Sequence, residues 1–317
     1  MQGANWINTA KSIDISAGTF SGGTAPITCA GPFNLSGGTF TAPSTSTLLV
    51  KGSFTGNGNF DTSGGGTVQL NSGSNISFIG GNVFNNLEFN SQAAYVFYID
   101  SPITVNGLLT YTKGQLNNSV INAKGNVVIA GSPNANANCT TTLSINGSSA
   151  QTCTIIGNGA STFSLPALAV NNASASVTVL GGCAIRGMNL QAGTFNGGSS
   201  NITCLGDLTS STGFTLNSTT STLLVYNYYG INSSNITLAA GTFFHNGGTF
   251  SIIYTNAAVN FVTGGNTFNN LYLVESNGMS LYCYDDFTVN GNISMFYDTS
   301  SQGTILQAGG SAARTIH

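Results

Sequence analysis

Gly80–Phe89 reads GGNVFNNLEF, and Gly264–Leu273 reads GGNTFNNLYL. A catalytic loop written twice would keep an acid, a base or a nucleophile. These two stretches share glycines, asparagines and apolar residues, the materials of turns and packing, so the repeat has to be read before anything else. Further echoes fix its register. AGTF at Ala17–Phe20 returns at Ala192–Phe195, an offset of 192 − 17 = 175. Ile27-Thr28-Cys29 returns as Ile202-Thr203-Cys204, and Thr45–Val50 (TSTLLV) returns as Thr220–Val225, both at 175. The opening pair lies at 264 − 80 = 184, as do Thr104–Gly107 and Thr288–Gly291 (TVNG). One long block, roughly 17–131 against 192–309, is therefore duplicated. The second copy carries 184 − 175 = 9 more residues between Val225 and Gly264. The expected organisation is a first copy at 1–131, connecting coils at 132–191 and a second copy at 192–317, in one continuous rod.

A shorter period runs inside each copy. Ile13-Asp14-Ile15 leads to a corner ending at Phe20, Phe33-Asn34-Leu35 to one ending at Phe40, and Ser53-Phe54-Thr55 to one ending at Phe60. Each unit of about twenty residues is an alternating apolar/polar run followed by a Gly-rich corner, which is strand periodicity broken by turn chemistry. No helical stripe is sustained anywhere. The spacing predicts an all-β fold: a parallel β-helix (β-solenoid) of about 20-residue coils with an internal duplication, because such a unit buries its apolar face only by stacking on neighbours. Strands ~4.8 Å apart would make about sixteen coils a rod on the order of 75 Å long. The antiparallel alternative rests on Val105-Asn106-Gly107-Leu108, which also fits a type I′ hairpin.

Composition narrows the function. Charged residues are 5% of the chain, against ~25% in ordinary soluble domains, yet hydrophobic residues reach 41%, so the chain is not a disordered tail. Only six prolines occur, which suits uninterrupted ladders. The abundant Asn, Ser and Thr are suited to stacking in neighbouring coils and bonding one another, as amide ladders do. A net charge of −3 with six Lys and Arg offers no basic stripe for nucleic acid. No apolar run approaches the ~20 residues that span a bilayer. The first residues, MQGANWINTAKSIDIS, lack the layout of a secretory leader, and Gly310–His317 echoes Gly147–Ile155, which points to a longer parent protein.

The six cysteines (Cys29, Cys139, Cys153, Cys183, Cys204, Cys283) contain no CxxC, and two histidines cannot complete a usual zinc set. Two readings stand: reduced core residues, or a Cys183–Cys204 or Cys139–Cys153 bridge. Cys283 aligns with Ile99 in the other copy (283 − 184 = 99), and a cysteine that exchanges with isoleucine behaves as a small hydrophobe.

Catalytic chemistry is hard to assemble. Glycan hydrolysis needs two carboxylates across the scissile bond, but the nine acids are scattered and only Asp285 and Asp286 adjoin. Neighbours on a strand point to opposite faces, so the expected role of that pair is a solvated corner. His245 sits in a turn context, and the Gly-rich Ser63–Thr67 lacks the lysine of a phosphate loop. No catalytic residue, cofactor or metal site is expected. Tyrosine alone clusters. Tyr226, Tyr228 and Tyr229 enter the nine-residue insertion and are the candidates for glycan or partner contact, since aromatic faces with a polar rim stack on sugars. Ordinary strand packing is the competing explanation.

FNNLEF and FNNLYL, followed by ITVNGLL and FTVNGNI and then a GQL or GTF corner, resemble the F-x-N-L-x-[IVL] … x-V-x-G-x-L … G-x-[LF] units of repeat-rich parallel β-helix proteins. Such units fill bacterial surface adhesins and fibre, spike and minor capsid proteins of phages and large DNA viruses. The resemblance covers most of the chain, marks coils, and carries no catalytic residues to transfer. It implies a non-enzymatic structural protein on a virion, on a cell surface or outside the cell. Its partners would be neighbouring structural proteins, other copies of itself, or surface glycans. The rivals are a polysaccharide-binding or polysaccharide-cleaving β-helix enzyme and an ice-binding protein, the latter opposed by irregular threonine placement.

Overall fold

Strands that bury every second side chain set the architecture. Thr47–Val50, Thr67–Leu70 and Asn86–Asn90 each turn alternate residues inward, and each pairs in parallel with the next. Parallel neighbours demand a crossover, and here the crossover is the rest of a coil. The computed structural model describes residues 9–61, 65–80, 82–93, 95–130, 139–157, 165–227, 234–254, 258–275, 280–297, 307–308 and 315–317. Among them there is no helix, and the strands form a parallel β-solenoid of about 12 turns spaced roughly 21 residues apart. The sixteen of a strict 20-residue period count all 317 residues, whereas 12 turns of 21 residues take in about 252 of them.

The chain divides into two compact units, Met1–Cys153 and Thr154–His317. In the first, one face climbs through Ile27–Cys29, Thr47–Val50, Thr67–Leu70, Asn86–Asn90 and Leu109–Lys113. A second face climbs through Ile13–Ile15, Phe33–Leu35, Phe54–Gly56, Ile76–Ile79 and Val96–Ile99. A third begins Thr19–Ser21, Thr39–Thr41, Asn59–Asp61, and Val83–Phe84 and Ile103–Val105 follow in the later coils. The second unit repeats the plan. Its first face runs Cys183–Ile185, Ile202–Cys204, Thr222–Asn227, Thr249–Tyr254, Asn270–Glu275 and Ile293–Tyr297.

The core is a stack of side chains at coil spacing. Phe33, Phe54 and Phe78 lie nearly parallel at 4.9 and 4.8 Å between ring centroids, matching the strand separation. The exposed Phe20 and the buried Phe40 and Phe60 form a second column at 5.5 and 5.4 Å, and Phe33 meets Phe40 edge-on at 4.9 Å. The twenty-residue phenylalanine period is thus a physical column. Leu87 and Leu271 are both buried.

The opening motif has a mechanical meaning. The Oδ1 of Asn86 accepts the Leu108 N–H at 2.7 Å, one coil on, while Gly107 N–H donates to the Asn85 carbonyl at 2.7 Å. A Cβ on Gly107 would lie 2.5 Å from that Oδ1, so the glycine is required for the coils to close. The second copy repeats the clasp: Asn292 N–H donates to Asn270 Oδ1 at 3.0 Å and Gly291 N–H to the Asn269 carbonyl at 2.7 Å. FNNL and VNG recur together because each is the other's partner in the adjacent coil. This excludes the hairpin reading of Val105–Leu108.

Outward polar residues also pair between coils. Asn34 donates to Asp14 at 2.7 Å, Asn217 to Asn196 at 2.8 Å and Asn260 to Asn235 at 2.9 Å. These are the expected amide ladders.

Inward residues in equivalent coils locate the insertion. Leu48 and Leu223 differ by 175, Phe54 and Ile236 by 182, Phe78 and Phe261 by 183, and Phe84 and Phe268 by 184. Seven of the nine extra residues therefore enter between Val225 and Ile236, and the other two fall singly in later corners. Corners tolerate this, whereas one residue added inside a strand would turn its whole inward set outward.

Candidate functional site

Tyr226 lies near the end of Thr222–Asn227 on the first face of the second unit. It alternates with the buried Leu223 and Val225, so its ring is outward and half-buried, in register with Ile253 on the next coil. Tyr228 and Tyr229 lie outside the described residues.

Asp285 and Asp286 do not converge. The Asp285 carboxylate accepts Thr263 N–H and Thr263 Oγ1–H at 2.7 Å each and Gly264 N–H at 2.6 Å. It anchors the corner of the preceding coil, a more specific role than a solvated bend. Asp286 Oδ1 instead accepts the Thr315 N–H at 2.9 Å. Asp207 does similar work, accepting Asn235 N–H at 2.7 Å. His245 Nδ1 accepts the Gly247 N–H at 2.9 Å within a turn. Among the described residues no group of three or more His, Cys, Asp or Glu side chains is placed to hold a metal.

All six cysteines are buried, and none is in a disulfide. Neither the Cys139–Cys153 nor the Cys183–Cys204 bridge forms; in the second case Cys183 stands opposite Ile202, and Cys204 opposite Ile185, because that coil advances 19 residues instead of 21. Cys139 Sγ meets the Tyr111 hydroxyl at 3.5 Å and accepts the Leu116 N–H. Burial pushes the thiols of Cys153, Cys183 and Cys204 up to about 12, so they are protonated and inert at neutral pH.

One pair was missed in the sequence. Tyr254 and Glu275 are both inward, buried and adjacent in register. Burial first, and the neighbouring Glu275 second, hold the Tyr254 hydroxyl above its ordinary pKa. The equivalent positions of the first copy, Ser72 and Ser91, are also buried and polar, with Ser91 Oγ donating to the Ser72 carbonyl at 3.3 Å. Polar inward residues at the strand end therefore recur in both copies, and comparing the copies is the signal that finds them.

A cleft of about 360 Å³ lies at a corner of the first unit, lined mainly by Gly56, Asn57, Asn59, Gly80, Asn82 and Val83. The Asn82 amide that faces it donates to the carbonyls of Gly80 and Ile79 at 3.0 and 3.4 Å.

The class this geometry defines is a parallel β-solenoid with polar groups bonded from coil to coil. Compared with known proteins, no family model, curated protein or solved structure matches the chain.

Proposed function

We propose that the chain is a non-enzymatic structural protein, forming part of a fibre, spike or adhesin stalk on the surface of a virion or cell. Neighbouring structural proteins or further copies of itself are its partners in this reading, with surface glycans as ligands. The observation that supports it is where the acids go. Asp14, Asp207 and Asp285 each accept a bond from another coil, which gives them a role in coil stacking. Stability in stacked repeats is spread over nearest-neighbour contacts, and this suits a part whose work is mechanical.

Antibodies raised against the purified chain test this on the intact particles or cells that carry it. Immunogold label on the outer surface is the expected result; label confined to the interior would contradict it.

A further inference from the structure

The two copies make an internal control for the outer surface. On the first face of the second unit, Tyr226, Ile253, Val274 and Phe296 stack in register, all pointing outward. Beside them run Leu224, Ser251, Tyr272 and Ser294, also in register, of which Ser251 is buried between its neighbours. Phe296 is 52% exposed, and its ring centroid lies 5.2 Å from that of Tyr272. The same positions of the first copy, at the offsets 175, 182 and 184, read differently except at Leu224, which is matched by Leu49. Tyr226 is matched by Lys51, Ile253 by Asn71, Tyr272 by Glu88 and Val274 by Asn90. One scaffold thus carries an ordinary solvated face in the first copy and an apolar, aromatic stripe in the second. The strand pairing itself does not call for the stripe, because equivalent strands of the first copy pair in the same way with polar residues there.

We infer that this stripe binds an uncharged polysaccharide, laid across the coils so that sugar rings stack on Tyr226, Tyr272 and Phe296. Three observations select that occupant. The stripe carries no charged side chain, so it offers nothing to pair with an anionic polymer. Its edge is a row of neutral hydroxyls and an amide, Thr222, Thr249 and Asn270, also in register. Its size is small: four strands ~4.8 Å apart and two outward columns ~7 Å apart span on the order of 200–300 Å². A standard protein interface needs ~800 Å² per partner, whereas a short run of sugar rings fits, with apolar ring faces on the aromatics and hydroxyls at the polar edge. The inference deepens the surface-protein reading above and rests on it only for the place where a polysaccharide would be met.

The test is affinity electrophoresis of the full chain through gels containing hydroxyethylcellulose, galactomannan or starch, with alginate and polygalacturonate as anionic comparisons. Retardation by at least one neutral polymer and by neither anionic one is expected. The double variant Tyr272→Glu with Val274→Asn copies residues the first copy already carries, and it should run at least ~10-fold weaker in apparent affinity with an unchanged circular dichroism spectrum and melting curve. No retardation by any neutral polymer, or equal retardation of the double variant, overturns the inference. So does concentration-dependent dimerisation that the double variant abolishes in the absence of neutral-polymer binding, which would make the stripe an interface between copies. A failure here leaves the structural role standing. Cleavage of a retained polymer would instead overturn the structural role and leave the stripe as a binding surface.

Discussion

The tightest constraints sit on single residues at the corners. Gly107 and Gly291 are held by the approach of an asparagine from the coil before, with a Cβ meeting Oδ1 at 2.5 and 2.4 Å and a backbone carbonyl at 2.8 Å in both. Gly107→Ala should therefore cost about 1–3 kcal/mol, the usual range for overpacking, read as a lower urea midpoint. Asn86→Ala removes the acceptor for Leu108 N–H and the donor to the Gly65 carbonyl. It should cost about 1–2 kcal/mol, since each lost hydrogen bond is worth about 0.5–1.5 kcal/mol and the freed groups are exposed to water. Stability equal to wild type in both variants would mean that the clasp does not hold the coils. Asp285→Asn keeps the shape of the group but loses the charge that strengthens three bonds. A moderate loss of stability is expected, confined to the second unit.

At the scale of strands and columns, inward positions carry the stability. Leu87→Asp or Leu271→Asp places an unpaired charge in a narrow core, at a cost of several kcal/mol, and should prevent folding of the unit concerned. Phe54 touches Phe33, Phe78 and Phe60 at 4.9, 4.8 and 5.4 Å. Phe54→Ala should cost about 3–5 kcal/mol, in the range for large core truncations. Much of this level is legible in the sequence. The alternation identifies Leu87 and Leu271 as inward, and the spacing of Phe20, Phe40 and Phe60 marks a column, because both follow from strand pleat and coil period. Corner length is not legible. The advance from strand to strand ranges from 18 residues, Leu109 to Val127, to 28, Leu208 to Ile236. A corner has no ladder to keep in step, so nothing in its residues announces how many it will absorb. That is why Cys183 and Cys204, 21 apart in sequence, miss each other by two residues. It is also why the role of Asp285 was hidden, since its partners Thr263 and Gly264 lie in the corner one coil back. The candidate site was half visible: Tyr226 marks the stripe, but Ile253, Val274 and Phe296 join it only once the register is known.

Across the whole molecule charged residues are few, and buried thiols contribute to the pH dependence on the alkaline side. Cys153, Cys183 and Cys204 titrate near 12 when folded and at ~8.5 when unfolded. The folded chain thus holds these protons more tightly, and their contribution is fully present below pH ~8.5 and lost as pH rises toward 12. The slope reaches ~1.4 kcal/mol per pH unit for each thiol. Urea midpoints should fall steeply from pH 9 to 10.5, and a midpoint constant over that range would contradict the burial of the thiols. The same burial predicts that a thiol reagent labels none of the six cysteines in the native chain and all six in urea, with or without prior reduction.

In the proposed reading this solenoid works by its structure, with no catalytic centre. Incubating the purified chain with plant, algal and bacterial polysaccharides, and assaying for new reducing ends and unsaturated products, tests it most directly. No turnover is expected on any of them, whether or not a neutral polymer is bound. Turnover that disappears when one Asp or Glu is changed, in a variant still fully folded, would contradict it.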